Sequence, residues 1–139
     1  MAGARFDDSR WPLYRIYLPQ GDLDDGEFRV LLDTMDGLHL RAQRFTVLLD
    51  ARLAPPLSPK RRQMAGERGK LMAARYPGLM LGIAVVLSSA VQRGVFTAIQ
   101  WVVRGAIPAR AFGTLGEAEE WLSALLRAGG ADAPPPSRR

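Results

Sequence analysis

Two apolar runs stand out along the chain, "FTVLLD" at 45–50 and "LMLGIAVVL" at 79–87. Both are nearly continuous rather than alternating and both are bounded by loop residues, the pattern of strands covered on both faces in a parallel sheet. They are predicted to form the centre of that sheet. "LYRIYL" at 13–18 is short, aromatic and β-rich, closed by the turn residues "PQGD", and reads as an edge or near-edge strand. Between these strands the period changes. Phe28, Leu31, Leu32, Met35 and Leu38 recur at helical spacing behind Asp24 and Glu27, whose separation fits a capping box. The spacing predicts one amphipathic helix, stopped near Gly37.

Ser58 at an N-cap and Pro59 at the first helical position open a second helix, which is expected to run to about Arg75, where "YPG" breaks it. A very apolar helix follows Leu87, over about Ala90 to Arg104. "PARAF" at 108–112 is a short last strand, and Thr114 with Glu117 caps a final helix that turns Ala118, Trp121, Leu122 and Leu125 inward. Alternating strands and helices predict an α/β fold, right-handed βα turns on a mostly parallel sheet. Residues 12–127 are expected to form one domain. Residues 1–11 make an N-terminal segment with room for a short extra strand, and 128–139 a disordered Pro/Arg tail.

Composition narrows the chemistry. The chain has 139 residues, 47% of them hydrophobic, enough to bury a core without staples. Cysteine is absent, which excludes disulfides, thiolate zinc sites and cysteine nucleophiles. His39 is the only histidine, so a histidine metal cluster is excluded and any Ser-His-Asp triad would have to use that residue. Gly66 and Gly69 lack the spacing of a phosphate loop, and no cofactor is implied. No run reaches the length of a membrane span, and "MAGARFDDSRW" has acids where a signal peptide needs an apolar segment, so a cytoplasmic location is expected. Charge is uneven: residues 1–50 hold nine acids against six Lys and Arg, while 51–139 hold five against thirteen. That asymmetry permits an acidic partner without naming one.

The segments "WPLYRIYL", "FTVLLDAR", "GIAVVLSSAVQRGVFTAIQWV" and "PARAFGTLGEAEEWLSALL" together resemble the STAS-like family related to bacterial anti-sigma-factor antagonists, and more closely a branch of mostly uncharacterised bacterial proteins with that fold. The resemblance covers roughly residues 11–126. It implies a four-turn right-handed βα superhelix and a signalling or protein-binding role. Phosphorylatable members carry an Asp-Ser-Ser-Gly-like segment at the helix after the strand resembled here by "FTVLLD". This chain has "ARLAPPLSPKRR" there instead, with the single serine Ser58.

Ser58 is therefore read first as a helix cap, with phosphorylation as the sharper alternative, since Lys60, Arg61 and Arg62 lie close behind it. At the strand ends, Asp50, Arg52, Ser88, Ser89 and Arg93 form a candidate crevice for a small anionic or amphipathic ligand. The plainer reading makes Asp50 a loop acceptor and Ser88 or Ser89 a cap. Arg61, Arg68 and Arg75 repeat every seven residues on the second helix, in one sector with Met64, Leu71 and Met72, and are placed to snorkel or to pair with the helix of Asp33 and Asp36. That stripe has no interleaved aromatics or docking motif, so nucleic acid is not the expected partner, and weak nucleic-acid binding through this basic helix stands as an alternative. In "AVQRGVFTAIQWVVR" the polar positions Arg93, Thr97, Gln100 and Arg104 fall within about 60°, and the apolar arc spans roughly 220°, twice what one sheet face needs. The sheet is expected to hide the Val91, Val95 and Val102 side. Phe96, Trp101 and Val103 then need cover, from neighbouring helices or from a second copy in a homodimer. The chain reads as a non-catalytic regulatory or protein-interaction module with an unknown protein partner, not as an enzyme.

Overall fold

The computed structural model of the chain describes residues 3–103 and 107–130, with the side chains of 98–103 left out of the description. Five strands form one sheet in the order of the chain: β1 (Arg5–Asp7), β2 (Leu13–Tyr17), β3 (Phe45–Asp50), β4 (Met80–Val86) and β5 (Ala109–Phe112). β1 runs antiparallel to β2, and every other pairing is parallel. Helices α1 (Asp25–Leu38), α2 (Pro59–Arg75) and α3 (Ala90–Val103) make the crossovers, and α4 (Leu115–Ala128) follows the last strand. This is the mostly parallel α/β fold that the alternation of elements predicts.

β3 is the central strand because both of its faces are covered. Phe45 and Val47 join Tyr14 and Ile16 of β2 in a core closed by Phe28, Leu31, Leu32 and Leu38 of α1. On the opposite face, Leu48 joins Leu13, Ala84 and Val86 against Ala118, Leu122 and Leu126 of α4. The period-2 alternation of a strand sends neighbouring side chains to opposite layers, so a continuous apolar run serves two cores at once. One irregularity interrupts the β3–β4 ladder. Phe45 pairs with Met80 and Thr46 with Gly82, which leaves Leu81 as the extra residue of a bulge.

The caps form as their residue types dictate. Asp24 accepts from the Glu27 N–H at 2.7 Å while the Glu27 side chain accepts from the Asp24 N–H, a complete capping box. Thr114 accepts from the Glu117 N–H at 3.2 Å. α4 buries Ala118, Leu122 and Leu126, and leaves Trp121 and Leu125 half-buried. α1 stops at Leu38, one residue past Gly37 and so where the sequence expects its end; a 3-10 turn over His39–Arg41 follows and closes at Ala42, whose φ of 56° is left-handed. Burial of Leu38 and His39 holds this last turn on the core, which outweighs the roughly 1 kcal/mol that an interior glycine costs.

α3 differs from its expected orientation. Val91 and Val95 are 76% and 54% exposed, whereas Gln92, Arg93 and Phe96 are half-buried. The sheet side of the helix is the Arg93–Phe96 side, because the Arg93 guanidinium donates to the Leu87 carbonyl at 2.7 Å and lies against Gly113. Its aliphatic stem packs inward while its head finds a backbone acceptor. Of the residues expected to need cover, Trp101 and Val103 lie outside the described side chains, and residues 131–139 of the expected tail lie outside the described residues.

Thr46 sits fully buried on β3, and its Oγ1 has no hydrogen-bond partner. A buried hydroxyl without a partner costs on the order of 1–3 kcal/mol, while a valine there keeps the shape and fills the same space with a methyl. Thr46→Val is expected to stabilise the fold by about 1 kcal/mol and raise the thermal midpoint by roughly 2–4 °C. A lower midpoint in differential scanning calorimetry would show that the hydroxyl does have a partner in solution.

Candidate functional site

The carboxyl ends of β3 and β4 meet two loops, and the sequence-derived candidates lie there. Asp50 is the last residue of β3 and is 8% exposed. Its Oδ1 accepts from the Arg52 backbone N–H at 3.2 Å and from Arg52 Nε at 2.9 Å, and its Oδ2 accepts from Nη2 at 2.8 Å. This fork-to-fork pair uses both carboxylate oxygens. The Asp50 hydrogen bonds hold the Arg52 guanidinium above its ordinary pKa, against a smaller opposing effect of burial. Ser88 Oγ donates a long 3.5 Å hydrogen bond to the Arg52 carbonyl, which ties the loop after β3 to the loop after β4.

Ser89 and Arg93 are held separately. Ser89 Oγ accepts from the Gln92 N–H at 3.3 Å and caps α3, and Arg93 donates to the Leu87 carbonyl. The structure therefore brings Asp50, Arg52 and Ser88 together, and among the described residues no hydrogen bond joins the Asp50–Arg52 pair to Ser89 or Arg93. Each charged group at this end is already engaged within the chain.

Ser58 Oγ accepts from the Arg61 N–H at 3.2 Å, with Pro59 at the first helical position, so the residue caps α2. The arginines behind it turn toward α1: Arg61 bonds Asp25 at 3.0 Å, and Arg68 bonds Asp33 at 2.6 Å and Asp36 at 2.7 Å. These bonds, Asp33 first and then Asp36, raise the pKa of Arg68. Loss of the cap in Ser58→Ala is expected to lower stability by about 1 kcal/mol. Urea denaturation of both proteins measures it, and an unchanged midpoint would mean that the Arg61 N–H is satisfied without the serine.

His39 is 2% exposed. Its Nδ1 lies 3.1 Å from the Asp36 carbonyl, and its ring packs between Phe45 and Tyr76 at centroid distances of 5.0 and 5.5 Å. It is part of the core and bonds no nucleophile. Among the described residues no group of three or more His, Cys, Asp or Glu is placed to hold a metal, and no helix is long and apolar enough to cross a membrane.

A largely buried ionic contact between β2 and α4 was not singled out from sequence. Arg15, in the middle of β2, bonds Glu119 of α4 at 3.1 Å, with side-chain exposures of only 14% and 11%. The signal was a lone charge inside an apolar strand, whose alternation sends it to the α4 face. Its partner, 104 residues away, is not deducible from spacing. Tyr17 lies beside this pair, its hydroxyl 3.4 Å from Arg15 Nη1, with the Arg5 guanidinium 4.2 Å above its ring.

No protein-family model matches the chain, and no curated protein matches it either. Among solved structures, the chain is similar to an uncharacterized protein of the DUF3478 family with a SpoIIAA-like fold from Shewanella loihica PV-4. The TM-score is 0.58 and the identity 13%, over 86% of this chain and 92% of that one. At that identity the likeness establishes the fold, which is the SpoIIAA-like, or STAS-like, arrangement.

Proposed function

We propose that the chain is a non-catalytic regulatory module that works by binding another protein through the apolar surface beside its strand ends. The observation that carries this reading is the exposure of Leu53 (68%), Val91 (76%) and Val95 (54%). Leu53 and Val91 each lie within three residues of the Ser88–Arg52 contact, so the loop after β3 and the start of α3 present apolar side chains at the same end of the sheet. The neighbouring polar groups are engaged within the chain. Asp50 and Arg52 neutralise one another, Ser58 and Ser89 cap helices, and His39 is packed in the core, which leaves no adjacent nucleophile and base for chemistry among the described residues. Exposed apolar surface beside a satisfied polar rim is what a contact site requires. A second copy of the chain is one partner such a surface fits, through the outward side of α3 that carries Val91 and Val95.

The test compares wild type with Val91→Glu, both checked for folding by circular dichroism. Sedimentation equilibrium and capture from native lysate are expected to show a complex, either with itself or with another protein, that the substitution abolishes. Turnover of a small molecule by the pure protein, or a complex indifferent to Val91→Glu, overturns the reading. A thermal shift in phosphate that exceeds the shift in ionic-strength-matched chloride would support the anion-binding alternative at Arg52 and Arg93 instead.

A further inference from the structure

The sheet is open on both sides, and β1 forms one of its edges. Which backbone groups that edge presents follows from its neighbour. Leu18 N–H donates to the Asp50 carbonyl at 2.9 Å and Thr46 N–H donates to the Pro12 carbonyl at 3.0 Å, so the even-numbered residues of β2 address β3. Backbone groups alternate sides along a strand, so Arg15 and Tyr17 address β1 and exchange both bonds with Asp7 and Arg5, their register partners. Phe6, opposite Ile16, then turns its N–H and C=O to the open edge. Among the described residues no backbone group pairs with them there.

The side chains along this edge are self-complementary. Arg5 and Asp7 share a face of the sheet with Tyr17 and Arg15: the Arg5 guanidinium lies 4.2 Å from the Tyr17 ring centroid, and Asp7 accepts from the Ser9 N–H at 2.9 Å. Neither forms an ion pair among the described residues. Phe6 takes the other face and packs, half-buried, against the core under α1. When two copies of "RFD" run antiparallel about Phe6, each Arg5 stands opposite Asp7 of the other copy. The nearest alternative registers that keep the outward groups paired set Arg5 against Arg5 or Asp7 against Asp7, and like charges directly opposite are destabilising.

We propose that β1 pairs antiparallel with β1 of a second copy, so that the Phe6 residues exchange backbone hydrogen bonds and Arg5 of each copy meets Asp7 of the other. The two-fold arrangement joins both five-stranded sheets into one. Arg5 and Asp7 then form the pair without mutual backbone bonds, in which Cα atoms come within about 4.5 Å and side chains are closest. A second copy is selected over another strand because β1 carries both charges at the spacing that its own reverse requires. The other edge, β5, has Arg110 as its one charge and lacks that complement. The contact is separate from the apolar surface around Val91, since α3 packs beside β5, across the sheet from β1.

A contact of this size is weak, and association is expected on the order of 0.1 mM chain. Sedimentation equilibrium of the full chain, carried out in a Val91→Glu background, reads it apart from the apolar surface. Asp7→Arg leaves only cations on the edge and Arg5→Asp only acids, so each alone should weaken self-association at least about tenfold. Mixed in equal amounts, the two variants should associate with each other as tightly as the parent does with itself. Arg5→Asp together with Asp7→Arg should restore self-association within one chain. A second measurement needs no substitution at the edge. Exchange of the Phe6 amide, followed by NMR, should slow several-fold as the chain is concentrated from about 0.05 to about 1 mM, because its N–H gains an acceptor only in the dimer. That measurement decides where circular dichroism shows a variant misfolded. A monomer at about 1 mM, a mixture no tighter than its two components, or a Phe6 amide that exchanges at one rate throughout overturns the proposal. The Val91→Glu comparison is in turn made in an Asp7→Arg background, so that either contact can fail while the other stands.

Discussion

Phe45→Ala is expected to remove about 3–5 kcal/mol of folding stability, because Phe45 is the largest fully buried side chain among the described residues. Phe45 opens the central strand and is completely shielded from solvent. Its ring stacks on Trp11 at 5.5 Å and 21°, and meets the edge of His39 at 5.0 Å and 84°. It also stands at the bulge, paired with Met80 just before the ladder shifts. Truncation therefore loses transfer energy and aromatic contacts together, and leaves a cavity walled by the sheet and the end of α1. Sheet and helix backbones cannot easily collapse into it. Domains of this size are stable by only about 5–15 kcal/mol, so the variant should be close to its threshold at physiological temperature. Urea denaturation followed by circular dichroism gives the difference, with the slope of the transition unchanged if only the native state is affected. A loss below about 1 kcal/mol would mean that the site closes over the gap, and the picture of a rigid central strand would have to be abandoned.

The elements of this fold were legible where a local rule decides them. The apolar runs of β3 and β4, the capping box of α1, the Thr114 cap of α4, and Ser58–Pro59 at the start of α2 each follow from residue type and spacing within a few positions. Gly37 likewise marks the end of α1 to within one residue. The departure arose where tertiary contacts outweigh local preference. α3 has an apolar arc so wide that its period does not choose a face, and the Arg93–Leu87 hydrogen bond made the choice, turning Val91 and Val95 outward. The candidate site shows the same division. Residue types placed Asp50, Arg52 and Ser88 at one end of the sheet. That Arg52 folds back on Asp50 depends on a loop conformation that no spacing encodes. The pairing of Arg61 and Arg68 with α1 was accessible because two parallel crossover helices bring those faces together.

Gly82→Ala is expected to cost about 1–3 kcal/mol, and the reason can be isolated by a second substitution. A glycine inside an apolar strand signals that something approaches closely, without saying what. Here α4 approaches. A Cβ on Gly82 would stand 2.5 Å from Leu125 Cδ1, 3.3 Å from Trp121 Cη2 and 3.4 Å from the Pro108 carbonyl oxygen. The first distance is impossible without movement, while the other two are tight but within what small shifts relieve. Leu125 must therefore leave its rotamer or push α4 off the sheet, and α4 supplies Ala118, Leu122 and Leu126 to the core it covers. If Leu125 is the obstacle, the penalty should depend on it. In a Leu125→Ala background the added methyl has room, and alanine loses about 0.5–1 kcal/mol less conformational entropy than glycine on folding. The cost of Gly82→Ala should then fall by at least about 1 kcal/mol, a coupling well above the few tenths seen between independent sites. Four proteins and their urea midpoints complete the cycle. A penalty that persists in the Leu125→Ala background would move the obstacle from Leu125 to Trp121, also on α4, or to the Pro108 carbonyl beside β5.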